Sequence, residues 1–224
     1  MHKQGAATSA AFILTGLICC MADELRLFSY AHSPKGGLTL PDSNITKRAL
    51  ASALKELMRS QPFSKISVSD ICEYCDMNRK SFYYHFKDKY DLINWIYDTE
   101  FIAIAVQTSY RSFWDFLEDL CEYFYENRSF YHKALQITGQ NSFSEHFREL
   151  LQPTIRQRLT KRAASGQVQT FQTNFFTDAL ICALMRWLKD ANCVPPREFL
   201  ALLQSCIDAM SSSFNLSSTA EPSK

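Results

Sequence analysis

The residues with chemistry to offer are concentrated in one short run. Arg79, Lys80, Ser81, Tyr83, Tyr84 and His85 supply cations, hydroxyls and an imidazole within seven positions. Phe82 and Phe86 are interleaved with them, four apart, and share one face of a helix. That helix buries its phenylalanines and turns its polar residues outward. Guanidinium and ammonium groups donate to the guanine acceptors of the major groove, and an aromatic ring meets the thymine methyl. The spacing therefore suits DNA contact, with Arg79, Lys80 and Tyr83 assigned to base edges. Tyr84 and His85 are assigned to phosphates, as are Thr46 and Lys89 further along the surface. Lys89 starts the next predicted helix, whose dipole adds to the attraction for a phosphate.

Other chemistries find less support. Cys72 and Cys75 have the two-residue spacing of a metal knuckle or redox pair, but no second cysteine pair is nearby and His85 does not complete a ligand set. They read as packed thiols. The sequence holds no P-loop, nucleophile elbow or supported pair of catalytic carboxylates, so an enzyme is not expected, and neither a metal nor a cofactor. His132 and His146 have no evident partner and read as surface residues.

The elements that must hold the basic run are legible. Ser67 with Asp70 forms a capping box at the start of a short helix whose Val68 and Ile71 face inward. Asp76-Met77-Asn78 is a three-residue turn, and Asp76 sits where the backbone must become left-handed. Asn78 caps the helix carrying Arg79, and Asp88, with Asp91 three residues on, opens the next. Helix, tight turn, helix is a helix-turn-helix unit, here 67–86.

The run from Ser67 to Leu92 resembles the DNA-binding region of the TetR/AcrR family of bacterial transcriptional regulators. The matching residues are Val68-x-Asp70-Ile71, Met77-Asn78-Arg79, Ser81-Phe82-Tyr83-x-His85-Phe86 and Lys87-Asp88-Lys89-x-Asp91-Leu92. The family usually has glycine where this chain has Asp76, small residues at Cys72 and Cys75, and often glycine at Lys80. The resemblance implies an all-α protein whose N-terminal three-helix head binds a roughly palindromic operator as a homodimer. Half-sites then lie near one turn of DNA, ~34–36 Å apart. It also implies a C-terminal helical bundle that dimerises through its last two helices and encloses a cavity for a small-molecule effector. Ligand and DNA would oppose each other by linkage through the connecting helix. The aromatic residues of that bundle read first as core. Trp114, Tyr123, Phe124, Tyr131 and Phe175 are the ones assigned to the implied cavity. The run from Phe124 to Phe143 is similar to the subgroup containing activators of dihydroxyacetone kinase genes, which leaves repression and activation both open and admits a protein co-regulator as effector.

Composition agrees. In 224 residues, 46% hydrophobic, there are only 6 glycines and 7 prolines, and strand-like alternation is hard to find, which points to helices throughout. Net charge is +1, but 44–90 carries nine Lys/Arg against five acids while the remainder is net −3. Positive charge thus collects on the DNA-binding segment. Eight scattered cysteines suit a reducing, cytoplasmic compartment.

The division expected is a flexible extension over 1–43, a head over 44–104, a body over 105–216 and a disordered tail over 217–224. Ala10 to Ala22 is an apolar run like a signal-peptide core, too short to span a bilayer, and the cytosolic character of the rest argues against export. Helices are predicted over 46–60 (with Thr46 as cap), 89–108, 113–125, 130–137, 143–164 (bent or restarted at Pro153 and ended by Gly166), 173–189 and 195–214. Gln140-Asn141-Ser142 reads as capping residues. Two other readings stay open: a co-regulator that has lost DNA binding, and a small redox protein using Cys72 and Cys75.

Overall fold

The computed structural model describes residues 41–139, 141–160 and 166–215. Among them the chain is helical, without strands. The nine described helices are α1 (Pro41–Ser60), α2 (Val68–Tyr74), α3 (Arg79–His85), α4 (Lys89–Tyr97), α5 (Phe113–Glu126), α6 (Arg128–Ala134), α7 (Phe143–Thr160), α8 (Gln167–Lys189) and α9 (Pro196–Asn215). A 3-10 turn, Phe63–Lys65, joins α1 to α2. The helix begun by α4 continues through a π turn, Asp98–Ile102, into a last α turn, Ala103–Ala105.

The head forms because α1 buries Leu50, Leu54 and Met58 against Ile66, Ile71, Phe82, Phe86 and Leu92. Each of its short helices is stapled at the start, as helices of seven residues need in water. Ser67 and Asp70 form the full capping box on α2. Asn78 Oδ1 accepts the Ser81 amide at 2.8 Å on α3. Asp88 Oδ1 accepts the Tyr90 and Asp91 amides at 2.8 and 2.9 Å on α4, while Asp91 reaches back to the Lys87 amide at 2.9 Å. Asp76 takes the left-handed conformation expected of it, with φ of +52°.

The body centres on Tyr97, whose ring meets those of Phe101, Phe124, Tyr131, Phe143 and Phe147 at centroid distances of 5.3–6.1 Å. Helix α7 runs through Pro153 as one element, and α8 packs on it, burying Thr173, Thr177, Ile181, Leu184, Trp187 and Leu188 within the body. Ser112 and Asp115 form a capping box on α5 that the sequence reading did not single out.

Several expectations are corrected. Helix α1 begins at Pro41, five residues before Thr46, because proline at the first helical position loses no hydrogen bond; Thr46 is therefore inside the helix and not its cap. The helical run begun by α4 ends at Ala105 instead of Thr108, closed by 3-10-type bonds from the Gln107 and Thr108 amides. Helix α6 spans 128–134 instead of 130–137. Gly166 opens α8 (φ +67°) where it was expected only to end α7, and α8 starts six residues before Thr173. Its first turns are polar in sequence, and Thr173 and Thr177 are buried by bonding their hydroxyls to the carbonyls four residues back, at 2.8 and 2.7 Å. The inward stripe of α8 runs through Thr173, Thr177, Ile181, Leu184, Trp187 and Leu188, while Ala179 is exposed and Phe176, Leu180 and Ala183 are half-buried. His146 is not a surface residue; it is buried, with Nε2 2.7 Å from Asp98 Oδ1. Segments 1–40, 161–165 and 216–224 and Gln140 lie outside the described residues, and with them the expected N-terminal extension, the expected polar tail and the expected last turn of α7 to Ala164.

Candidate nucleic-acid interface

Helix α3 stands on Phe82, which is fully buried, and on its C-terminal neighbour Phe86, 3% exposed; their centroids are 5.8 Å apart. Trp95 backs Phe86 at 5.7 Å. This leaves Arg79, Lys80, Tyr83 and Tyr84 in solvent, the last two 51% and 83% exposed. Nothing in the head's own packing accounts for two tyrosines so exposed, since burial of an aromatic ring is worth kilocalories. The Arg79 guanidinium lies over the Tyr83 ring at 5.9 Å, so these two side chains present one joined cationic and aromatic surface.

The remaining expected residues divide. Ser81 is half-buried and its hydroxyl lies 3.3 Å from the Asn78 Oδ1 that already caps the helix. While that bond holds, Ser81 has no proton to donate to a phosphate, so it positions α3. His85 is half-buried, packed edge-on to Tyr84 at 4.9 Å. Burial, and then the Lys47 ammonium, hold its imidazole below the ordinary 6.5, so at neutral pH it offers a neutral N–H and not a cation. Thr46 is half-buried on the second turn of α1.

Lys89 is a correction. Its ammonium turns inward and donates to the carbonyls of Phe63 and Ile66 at 2.8 and 2.6 Å, 4.3 Å above the Phe63 ring. It thereby ties α4 to the turn before α2, and burial lowers its pKa despite Asp70 nearby. A side chain committed to two carbonyls is not a free phosphate ligand. Lys87, two residues earlier, is exposed and shares neither of these internal bonds of its neighbour. Lys47, which was not among the expected residues, influences His85 from α1, and its Nζ lies 5.8 Å from the Trp95 ring. The Lys47-Arg48 pair beside Thr46 was the signal for it.

Cys72 and Cys75 are packed as expected. Cys75 Sγ donates to the Ile71 carbonyl at 3.2 Å, and burial raises both thiols above their usual range, which keeps them protonated and unreactive.

The residues assigned to a ligand cavity do not come together as one lining. Phe124 and Tyr131 are fully buried and stacked at 4.6 Å, filling the centre of the body. The Tyr123 hydroxyl meets Tyr131 at 2.8 Å. Trp114 is half-buried, packed beside Phe113 at 6.4 Å. Phe175 is 50% exposed on the outer face of α8, stacked with Phe171 and remote from that cluster in packing. Large rings at helical spacing look alike in sequence whether they fill a core, line a cavity or face outward.

Head and body are joined by polar contacts as well as by α4. Lys55 on α1 pairs with Glu100 in the π turn, and Glu100 Oε2 accepts from Tyr123 on α5 at 2.9 Å. Lys133 on α6 donates to the carbonyls of Met58 and Arg59 at the end of α1.

Comparison with known proteins decides the family. Residues 50–96, which contain this entire helix-turn-helix, match the model described as "Bacterial regulatory proteins, tetR family", and residues 112–209 match a "Transcriptional regulator C-terminal region" model. The chain belongs to the TetR family of bacterial regulatory proteins. These are transcriptional regulators and not enzymes. The chain is similar to the HTH-type dhaKLM operon transcriptional activator DhaS of Lactococcus lactis subsp. lactis (strain IL1403), with 35% identity over 111 residues, 49% of this chain. That match spans 58% of the relative's length. Among solved structures, a TetR transcriptional regulator from Streptococcus agalactiae 2603V superposes with a TM-score of 0.61 at 21% identity, covering 74% of this chain and 95% of that one. A dihydroxyacetone kinase operon activator DhaS superposes at 0.53 with 22% identity, covering 77% and 97%. At these identities the structures share the fold. Among the described residues no helix is long and apolar enough to cross a membrane.

Proposed function

We propose that this TetR-family regulator is a cytoplasmic homodimer that binds a roughly palindromic operator through its two heads, with 44–104 as head and 105–216 as body. The observation that carries the reading is the exposed joined surface of Arg79 and Tyr83 on a helix propped by the buried Phe82. Arg79, Lys80 and Tyr83 read base edges, and Tyr84, Lys87 and Lys47 hold phosphates, with His85 a neutral donor. Dimerisation through α8 and α9 is supported by what those helices leave uncovered in the single chain: Phe171, Phe175, Leu202 and Ile207 are all at least 45% exposed. An effector, small molecule or protein, acts on the body and moves the heads through α4.

The relative's name, an operon activator, favours activation as the sense of regulation. The test is a mobility-shift assay with DNA selected by the purified chain from genomic fragments. Arg79→Ala with Tyr83→Ala abolishes specific binding at unchanged helical content. Equal binding by this variant overturns the site, and no binding of any duplex by the wild type at low salt favours a co-regulator acting by protein contact alone.

A further inference from the structure

Helix α6 presents cations in two directions. Lys133 reaches the end of α1, as described. Arg128 and His132, four residues apart and so on one side of the helix, turn instead toward the last turn of α8. Arg128, Ser129, His132, Leu188 and Lys189 there line an open recess of about 250 Å³.

The recess is held in shape by Arg128, whose Nε donates to the Leu188 carbonyl at 2.8 Å and whose Nη2 donates to the Asp190 carbonyl. Its Nη1 takes part in neither bond. No carboxylate lines the recess. The neighbouring Asp190 spends Oδ1 on the Asn192 amide at 2.9 Å. Three residues with nitrogenous side chains and a serine thus line one recess with no acid among them, and these residue types are a donor set for an anion.

We propose that this recess binds a small oxyanion, a phosphate or carboxylate group, and that its occupancy is sensed by the DNA-binding head. Burial, then Lys133 and Arg128 on α6 and Lys189 on α8, hold the His132 imidazole below its ordinary value. An anion seated among these groups reverses that influence and recruits a further charge-assisted donor. His132 is adjacent in sequence to Lys133, so any movement of α6 toward the ligand reaches α1 directly. The anion site itself stands apart from the DNA reading; only its effect on operator binding rests on it. The competing role for these cations is structural: Arg128 and Lys189 also offset the negative end of the α8 dipole.

The test uses the full chain, titrated by calorimetry and by imidazole NMR with inorganic phosphate, methyl phosphate or acetate against chloride at matched ionic strength. Saturable binding that raises the His132 pKa, weakened roughly tenfold in Lys189→Gln and in His132→Gln, supports the site. The three anions distinguish free phosphate, a phosphate ester and a carboxylate as the source. No saturable response beyond chloride, or equal affinity in both variants, overturns it and leaves the cations as caps of α8. Phosphate binding that leaves operator affinity unchanged overturns the sensing half. Failure to bind any operator, with the phosphate isotherm intact, counts against the DNA reading and not against the site.

Discussion

Tyr123 donates its hydroxyl to Oε2 of Glu100 at 2.9 Å, and the same carboxylate pairs with Lys55 on α1. The contact continues inward, since Tyr123 also meets the fully buried Tyr131 at 2.8 Å. Head, π turn and aromatic centre are therefore connected by one line of polar groups. The π turn that carries Glu100 also carries Asp98, bonded to His146 on α7. Such insertions interrupt the regular helix and gather at functional sites.

Glu100→Gln leaves the half-buried Lys55 without its charge partner. It should lower stability to urea by about 1–3 kcal/mol, the cost of stranding a charge-assisted bond. Tyr123→Phe removes only a hydroxyl and should cost about 1 kcal/mol. If the polar line couples body to head, both variants also change operator affinity although neither residue belongs to the DNA surface. Anisotropy titrations at fixed salt measure this, and unchanged affinity in both would make the contacts purely structural.

Lys87 and Lys89 separate position from function. Lys89→Met removes the tie to the Phe63 and Ile66 carbonyls and should lower the melting temperature, with little change in the salt dependence of operator binding. Lys87→Ala should do the reverse, reducing the slope of log affinity against log salt by about 1 while stability stays near that of the wild type. The opposite pattern would return Lys89 to the phosphate set.

The helix-turn-helix was legible almost to the residue because its devices are local: a capping box at Ser67, an N-cap at Asn78, a left-handed Asp76 and an i,i+4 phenylalanine pair. What escaped were long-range commitments. That Lys89 is taken by carbonyls 23 and 26 positions away, or that His146 is buried against Asp98, depends on how helices pack and leaves no periodic trace. The aromatic body was the least legible, since Phe124 at the centre and Phe175 at the surface occupy equally helical patterns.

The depressed imidazoles of His85 and His132 set a pH response with a definite sign. Both are held below 6.5, first by burial and then by neighbouring cations. The unfolded chain therefore binds more protons than the folded one just below that pH, and the stability they contribute, fully present above 6.5, is lost as pH falls through the lowered values. Operator binding should move the other way. A phosphate beside His85 favours its protonated form, so affinity rises over the same interval. Urea unfolding and anisotropy across this range should diverge, and His85→Gln should flatten the affinity profile while leaving the stability contribution of His132.

The exposed rings of α8 make the proposed dimer testable without DNA. Phe171 and Phe175 stack on each other with 71% and 50% of their surface open, and α9 leaves Leu202 and Ile207 uncovered. Two such helices per chain, packed against their copies, bury this surface at about 25 cal/mol per Å². Placing a carboxylate at the centre of that contact costs far more than removing a ring, because it must be desolvated opposite its own image. Phe175→Asp should therefore weaken self-association by roughly a hundredfold and more than Phe175→Ala does, as measured by sedimentation equilibrium. Operator affinity should fall with it, since one head contacts one half-site, while the far-ultraviolet circular dichroism stays unchanged. A wild-type chain that sediments as a monomer at all concentrations would refute the assembly, and a Phe175→Asp dimer of undiminished strength would move the interface off α8.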